Sequence, residues 1–410
     1  MNQMYYNYFL IILLELYFLG SQKCRSYVVK NDKTLFVDVH NTPHKKIYLK
    51  RNSNSNTHNN NRRKTHIKNS NTNIEVQNRI ISSKENEAYI NKKIDEFSKY
   101  RIKDFSSKYT FFFPGQGEQF VTMGLDTYNT CKEAKDIYDR ASKILGYNLM
   151  DVIKNGPEEK LKDSEIAQPS IYTVSIAAFE KLKKENSDIV NNLNLCMGYS
   201  LGEYAALTVA GALPFEEGVY LTKQRGISMQ KCAQLHKMTT IAVVGLTLDI
   251  IHKLIEDVNK EMDDDILIVS YMTDKKFGLC GKSESMEYLN TLAKEKYKAV
   301  FTKKLQISGA FHSAYMFPAK SVLEKVLKEI NFKKMNVPTL SNVDGFAYTD
   351  PNIIKQLLLL QLTSPIKIYK CLDTILQNGY ETGYELGPGT INANLLRDVS
   401  KKKKTAIPYI

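Results

Sequence analysis

The segment that most narrows the fold is Gly198-Tyr199-Ser200-Leu201-Gly202. Residues 193–198 form a short apolar run of strand length, and residues 201–210 are rich in Ala and Leu, as helices are. A buried strand that turns at once into a helix needs glycine, which lets the chain turn sharply and the helix pass close by. The same alternation recurs elsewhere. Tyr109-Thr110-Phe111-Phe112-Phe113 has strand character and is stopped by Pro114-Gly115-Gln116-Gly117. Helices are expected over 134–145, 169–184, 319–330 and 352–360, a strand near 337–341, and a strand-turn-helix over 384–398. Strands alternating with helices specify an α/β domain with a mostly parallel sheet covered on both faces.

The middle of the chain has a different order: strand 239–246, helix 249–259, strands 266–271 and 277–280, helix 285–295, strand 300–307. This β-α-β-β-α-β order is that of a ferredoxin-like unit. The expected organisation is a large α/β domain, α/β-hydrolase-like, built from 108–236 and 308–400. A ferredoxin-like small domain is inserted at 237–307, and 401–410 is a basic, solvated tail.

The N-terminal quarter is unlike the rest. Residues 1–22 are signal-like, with an apolar run over 8–19 interrupted only by Glu15 and too short for a comfortable membrane span. Residues 23–107 read as a basic, Asn-rich leader and linker. Nine Asn fall between Arg51 and Ile74, and no acidic residue lies between Asp38 and Glu75. Such a stretch cannot bury enough apolar surface to offset the entropy of ordering it. Residues 83–104 are charged and helix-compatible, a lead-in outside the core, so removing about the first hundred residues is expected to leave a folded domain.

The formal charge of +13 belongs to this leader: residues 21–110 carry 20 Lys and Arg against 8 Asp and Glu, whereas 111–410 carry 37 against 35. The folded part therefore has no electrostatic footprint for nucleic acid, and the mature form is expected to be free of membrane. The cysteines after the leader show no paired short spacing and read as thiols. With no H-x-x-x-H or C-x-x-C, no metal site is expected.

The strand–Ser200–helix context fits a G-x-S-x-G nucleophile elbow, in which the serine hydroxyl stands at a helix N-terminus beside free backbone N–H groups. A serine-capped turn is the plainer alternative. A serine nucleophile needs a base. Of His236, His252 and His312, only His312 lies in a small-residue loop, Ser308-Gly309-Ala310-Phe311-His312-Ser313; a surface histidine is the alternative. Arg225, with Lys223 and Lys231 nearby, is on its own an ordinary basic residue of a helix.

Five blocks together carry a resemblance: Phe113-Pro114-Gly115-Gln116-Gly117, the ten residues from Gly198 to Leu207, Gln224-Arg225-Gly226, Gly309-Ala310-Phe311-His312-Ser313, and Glu385-Leu386-Gly387-Pro388-Gly389. In order and spacing they resemble the bacterial-type malonyl-CoA:acyl carrier protein transacylase family of type II fatty acid synthesis, over about 108–399. The resemblance implies a malonyl group moved from malonyl-CoA to the phosphopantetheine thiol of acyl carrier protein through a Ser200 ester. It makes His312 the base, with its imidazole oriented by a backbone carbonyl near Gln361. The N–H groups of Gln116 and Leu201 become the oxyanion hole, Arg225 the partner of the malonyl carboxylate, and Met229 and Phe311 the pocket wall. No tightly bound cofactor is implied, coenzyme A being part of the substrate, and the chain is expected to act as a monomer. The leader is similar to the two-part leaders of proteins sent to the relict plastid (apicoplast) of malaria-type parasites, the secretory pathway being the alternative. Two departures stand out: Tyr199 where the family has histidine, and Ser270-Tyr271-Met272-Thr273-Asp274-Lys275-Lys276 in place of an Asn-rich loop. Three rival readings stay open: an α/β serine hydrolase using an acid such as Asp249 or Asp274, a methylmalonyl-preferring transferase, and an inactive carrier-binding scaffold.

Overall fold

The structure, a computed structural model of the 410-residue chain, describes residues 23–30, 33–40, 46–51, 83–236, 238–305 and 309–410. In the N-terminal unit, β1 (Lys23–Lys30), β2 (Lys33–His40) and β3 (Lys46–Arg51) pair as an antiparallel meander. The strand-forming runs Tyr27-Val28-Val29, Leu35-Phe36-Val37 and Ile47-Tyr48-Leu49 suit these strands. The signal-like segment 1–22 and the Asn-rich tract lie outside the described residues.

In the second unit, the large sheet has the order β11-β10-β5-β4-β12-β13: β4 (Tyr109–Phe113), β5 (Leu195–Gly198), β10 (Thr339–Leu340), β11 (Ala347–Tyr348), β12 (Thr382–Leu386) and β13 (Ile407–Tyr409). All pairings are parallel except that of β11 with β10. Successive side chains of a strand face opposite ways, and both faces here are apolar. Phe111, Phe113 and Cys196 join one core, while Phe112, Leu195 and Met197 join the other. The inserted unit holds β6 (Met238–Val244), β7 (Leu267–Thr273), β8 (Lys276–Lys282) and β9 (Phe301–Lys304) in the antiparallel order β7-β8-β6-β9. Its helices Leu248–Met262 and Ser283–Glu295 cover a separate core of Ile241, Val243, Leu254, Phe277, Leu279 and Leu289. This is the ferredoxin-like order expected from sequence.

Both ends of the large domain differ from expectation. The stretch 401–410, expected to be solvated, contributes β13, which adds to β12 in register Tyr384↔Ile407. Pro408 is tolerated there because an edge strand needs no N–H on its outer side. At the other end, the helix Ser83–Phe97 buries Asn86, Ile90, Ile94 and Phe97, the three apolar residues joining the main core. Their i, i+4, i+7 spacing makes one apolar stripe inside a strongly charged sequence. Arg101 then pairs with buried Asp344 at 3.0 Å, and the Ile102 N–H donates to Ala347 O on edge strand β11. The folded α/β domain thus begins near residue 83 rather than 108.

A chain beginning at Ser83 should melt as the full chain does. One beginning at Lys108 exposes the contacts of Ile90, Ile94 and Phe97, each worth ~1.5–3 kcal/mol when buried, and should melt roughly 5–15 °C lower. Equal melting temperatures for the two truncations would contradict this boundary.

Candidate active site

The elbow is built by close approach. A Cβ on Gly198 would lie 1.9 Å from the backbone of Gly202, and one on Gly202 would lie 2.1 Å from Phe113 O. Only with both positions bare can β5 turn into the helix Gly202–Val209 while that helix crosses β4. Ser200 itself has φ 51°, a left-handed conformation that is costly for a residue with a Cβ. Asn342 clamps it there. Its side chain accepts from the Ser200 N–H at 2.6 Å and donates to Gly198 O at 2.8 Å.

The loop 309–313 brings His312, also left-handed at φ 63°, to the serine. Ser200 Oγ and His312 Nε2 are 2.7 Å apart, and His312 Nδ1 is 2.9 Å from Gln361 O. A carbonyl oxygen can only accept, so Nδ1 carries the proton and Nε2 is free to accept from the serine hydroxyl. Gln361 lies in the last turn of the helix Pro351–Thr363, where carbonyls have no partner within the helix.

Arg225, on the helix Phe215–Leu235, is only 1% exposed. One Nη donates to Gln168 Oε1 at 2.9 Å, and the other to Ser200 Oγ at 3.1 Å and Gln361 Oε1 at 3.0 Å. Its Nε–H has no partner among the described residues, and the guanidinium carbon lies 5.2 Å from the centre of the Tyr204 ring. The Gln361 amide continues the chain by donating to Ser200 O and to Glu203 Oε2, which also accepts from the Asn342 N–H. Glu203 is thus linked to Arg225 through Gln361.

Burial, reinforced by the positive charge of Arg225, pushes the His312 imidazole down to about 3. Burial pushes the Glu203 carboxyl up to about 7, against the hydrogen bonds from Asn342 and Gln361 that favour its charged form. Burial also lowers Arg225, while Tyr204 and Glu203 hold its charged form in place.

Of the residues singled out in sequence, Ser200, His312, Arg225 and Gln361 are joined directly by hydrogen bonds. Ser200, His312 and Arg225 border a cavity of about 440 Å³ that Gln116, Met229 and Phe311 also line, with Tyr199, Met272, Lys276 and Lys303. The N–H groups of Gln116 and Leu201 donate to no partner among the described residues. Asp249 and Asp274 are not partners of His312, whose Nδ1 faces a carbonyl rather than a carboxylate. Sequence reasoning missed Gln168, Asn342, the Gln361 side chain and the setting of Glu203. Gln168 donates to Gln116 Oε1 at 3.2 Å and lies 3.6 Å from Met229 Sδ. The helix expected to start at Pro169 starts at Ser164, which brings Gln168 inside it. The signal for Asn342 was its turn-rich surroundings, Ser341-Asn342-Val343-Asp344-Gly345.

A serine on an α/β elbow, a histidine oriented by a carbonyl and a ferredoxin-like insertion define an acyl transferase domain, and the profile of that family, the acyl transferase domain, matches residues 110–408. The chain is 33% identical over 299 residues to the malonyl CoA-acyl carrier protein transacylase of Bacillus subtilis, covering 73% of this chain and 92% of that protein. It is 32% identical over 295 residues to the mitochondrial enzyme of the same name from Mus musculus, covering 70% and 77%. The crystal structure of an acyl carrier protein S-malonyltransferase from Vibrio cholerae superimposes with a TM-score of 0.68 at 30% identity, covering 73% of this chain and 96% of that one. The chain belongs to the malonyl-CoA:acyl carrier protein transacylase family.

With His312 neutral, acylation of Ser200 should show no inflection near the ordinary histidine value of about 6.5. An inflection near 7 would come from Glu203 and should vanish in Glu203→Gln. An inflection near 6.5 that persists in that variant would contradict the neutral imidazole.

Proposed function

We propose that malonyl transfer runs here through a Ser200 ester, with His312 as base and then acid and Arg225 as the partner of the malonyl carboxylate. The chain moves the malonyl group of malonyl-CoA to acyl carrier protein, supplying malonyl-carrier for fatty acid synthesis. The observation that carries the assignment is the convergence of two groups on one oxygen: His312 Nε2 at 2.7 Å and an Arg225 Nη at 3.1 Å from Ser200 Oγ.

In the first half-reaction Ser200 Oγ attacks the thioester carbonyl while its proton passes to His312 Nε2. The carbonyl oxygen becomes an oxyanion held by the N–H groups of Gln116 and Leu201. Collapse breaks the C–S bond, and the coenzyme A thiolate takes the proton back from His312. In the second, the carrier's phosphopantetheine thiol gives its proton to His312 and attacks the ester. The Ser200 alkoxide then leaves and recovers the proton. Splitting one transfer into two is the benefit of the covalent intermediate.

Arg225 selects the acyl group. Its unpartnered Nε–H and the exchangeable amide contacts of its Nη atoms suit a carboxylate that accepts two parallel hydrogen bonds. Buried Phe311 borders the cavity beside His312, and we assign to it the crowding that disfavours the extra methyl of methylmalonyl. Lys276 and Lys303 line the same cavity and supply positive charge for the anionic substrates. No resident cofactor takes part, and neither nucleic acid nor membrane is a partner. We assign residues 1–82 to targeting, directed to a plastid of the malaria-parasite type. The apolar run followed by a basic, acid-poor tract supports this, as does a family domain that begins only at residue 110. Fused to a fluorescent protein in such a parasite, residues 1–82 should label the plastid; cytosolic or secreted fluorescence would contradict the address.

Mixing the protein with malonyl-CoA should add one malonyl mass, located on the peptide that contains Ser200. Ser200→Ala should abolish the adduct, and His312→Ala should slow its formation ~10²–10⁴-fold. Rapid stoichiometric labelling of either variant would assign the chemistry to other residues.

A further inference from the structure

We propose that the helix Ser83–Phe97 is a brace for the catalytic base, with Asn86 as a positioning residue that holds the end of the helix from which Gln361 orients His312. The proposal rests on His312 being the base. The brace is not part of the matched family domain, which begins at residue 110.

The argument starts from the C-terminus of the helix Pro351–Thr363. Its last carbonyls have no partner within the helix and need donors from elsewhere. Two of them find side chains: Gln361 O takes His312 Nδ1 at 2.9 Å, and Thr363 O takes Asn86 Nδ2 at 2.8 Å. The second bond is buried, Asn86 being 5% exposed and Thr363 fully covered. The two carbonyls are two residues apart in a single turn, so a shift of the turn at Thr363 moves the oxygen that aims the imidazole. Without Asn86, Thr363 O would be a buried acceptor without its donor, and the turn would gain by fraying towards water.

The same helix also meets the helix that follows the His312 loop. Tyr89 lies beside Lys320, whose Nζ is 4.8 Å from the ring centre, and Lys320 belongs to the helix Phe317–Glu329 that follows the His312 loop. Ile90, Ile94 and Phe97 fix the brace in the main core. One added helix therefore touches both the helix that carries Gln361 and the helix that follows the His312 loop. His312 holds a left-handed backbone, φ 63°, a conformation that persists only where the surroundings enforce it.

The test uses the full chain and two variants. Asn86→Ala removes the donor, and Asn86→Asp keeps the shape while replacing the donor with an acceptor facing Thr363 O. Single-turnover acylation by malonyl-CoA should slow about two- to tenfold in Asn86→Ala and more in Asn86→Asp, with an unchanged KM for malonyl-CoA. Rates are normalised to the folded fraction, so loss of stability alone does not imitate the effect. Normalised rates equal to wild type in both variants would overturn the brace. So would a loss confined to KM, or an Asn86→Asp variant as fast as wild type. His312→Ala separates the two claims: if it leaves acylation fast, the base assignment fails, whereas a slow His312→Ala beside unaffected Asn86 variants sinks only the brace.

Discussion

A guanidinium with 1% exposure sits 3.1 Å from the nucleophile, and the rest of the site is arranged around that buried charge. A buried charge is costly unless it is paired and hydrogen-bonded. Among the described residues Arg225 is met by two neutral amides, Gln168 and Gln361, and not by a carboxylate. Its nearest acid, Glu203, is reached only through the Gln361 amide. The positive charge is therefore satisfied geometrically while remaining open to an anion. The same charge, after burial, keeps His312 neutral and so ready to accept a proton. In the proposed scheme one residue pairs with the substrate carboxylate and, after burial, helps to keep the base neutral.

Gln361 makes this arrangement cooperative. Its backbone carbonyl aims His312, its side-chain oxygen meets Arg225, and its amide nitrogen donates to Ser200 O and Glu203. Ser200, His312 and Arg225 are thereby referred to one fully buried residue. Asn342 does the corresponding work at the elbow, where it holds the strained Ser200 from both sides. The insertion closes the cavity from outside. The Ile366 N–H donates to Val269 O and the Tyr271 N–H to Ile366 O, which joins β7 to the segment just after Gln361, while the Tyr199 and Ser270 hydroxyls meet at 2.8 Å.

What sequence reveals and what it hides follow from how locally each feature is encoded. The elbow, the Pro-Gly-Gln-Gly turn and the β-α-β-β-α-β insertion are written in contiguous residues, so their elements and order could be read directly. Ser200 and His312 stand in short blocks rich in small residues, whereas Arg225, an ordinary basic residue of its helix, is singled out only by the family resemblance. Gln168 and Asn342 do not: each is an ordinary amide that acquires its role from segments far away in the chain. The helix Ser83–Phe97 and strand β13 were misjudged for a related reason. Both are rich in charge or lie next to lysine runs, and their few apolar residues count only once a groove or a strand edge exists to receive them. Gln361 was placed by its carbonyl, but its side chain, which joins three other groups, had no signal in the sequence.

The central claim is that the buried charge of Arg225 makes the site choose an acyl group bearing a carboxylate. The direct measurement is kcat/KM for malonyl-CoA and for acetyl-CoA in the native protein and in Arg225→Ala. A charge-assisted hydrogen bond contributes ~1.5–3 kcal/mol, so malonyl transfer should fall roughly 10–100-fold. The uncharged acetyl group should lose much less, and the preference for malonyl should collapse. An equal fractional loss for both substrates would contradict the account and reduce Arg225 to a structural support of Ser200 and Gln361.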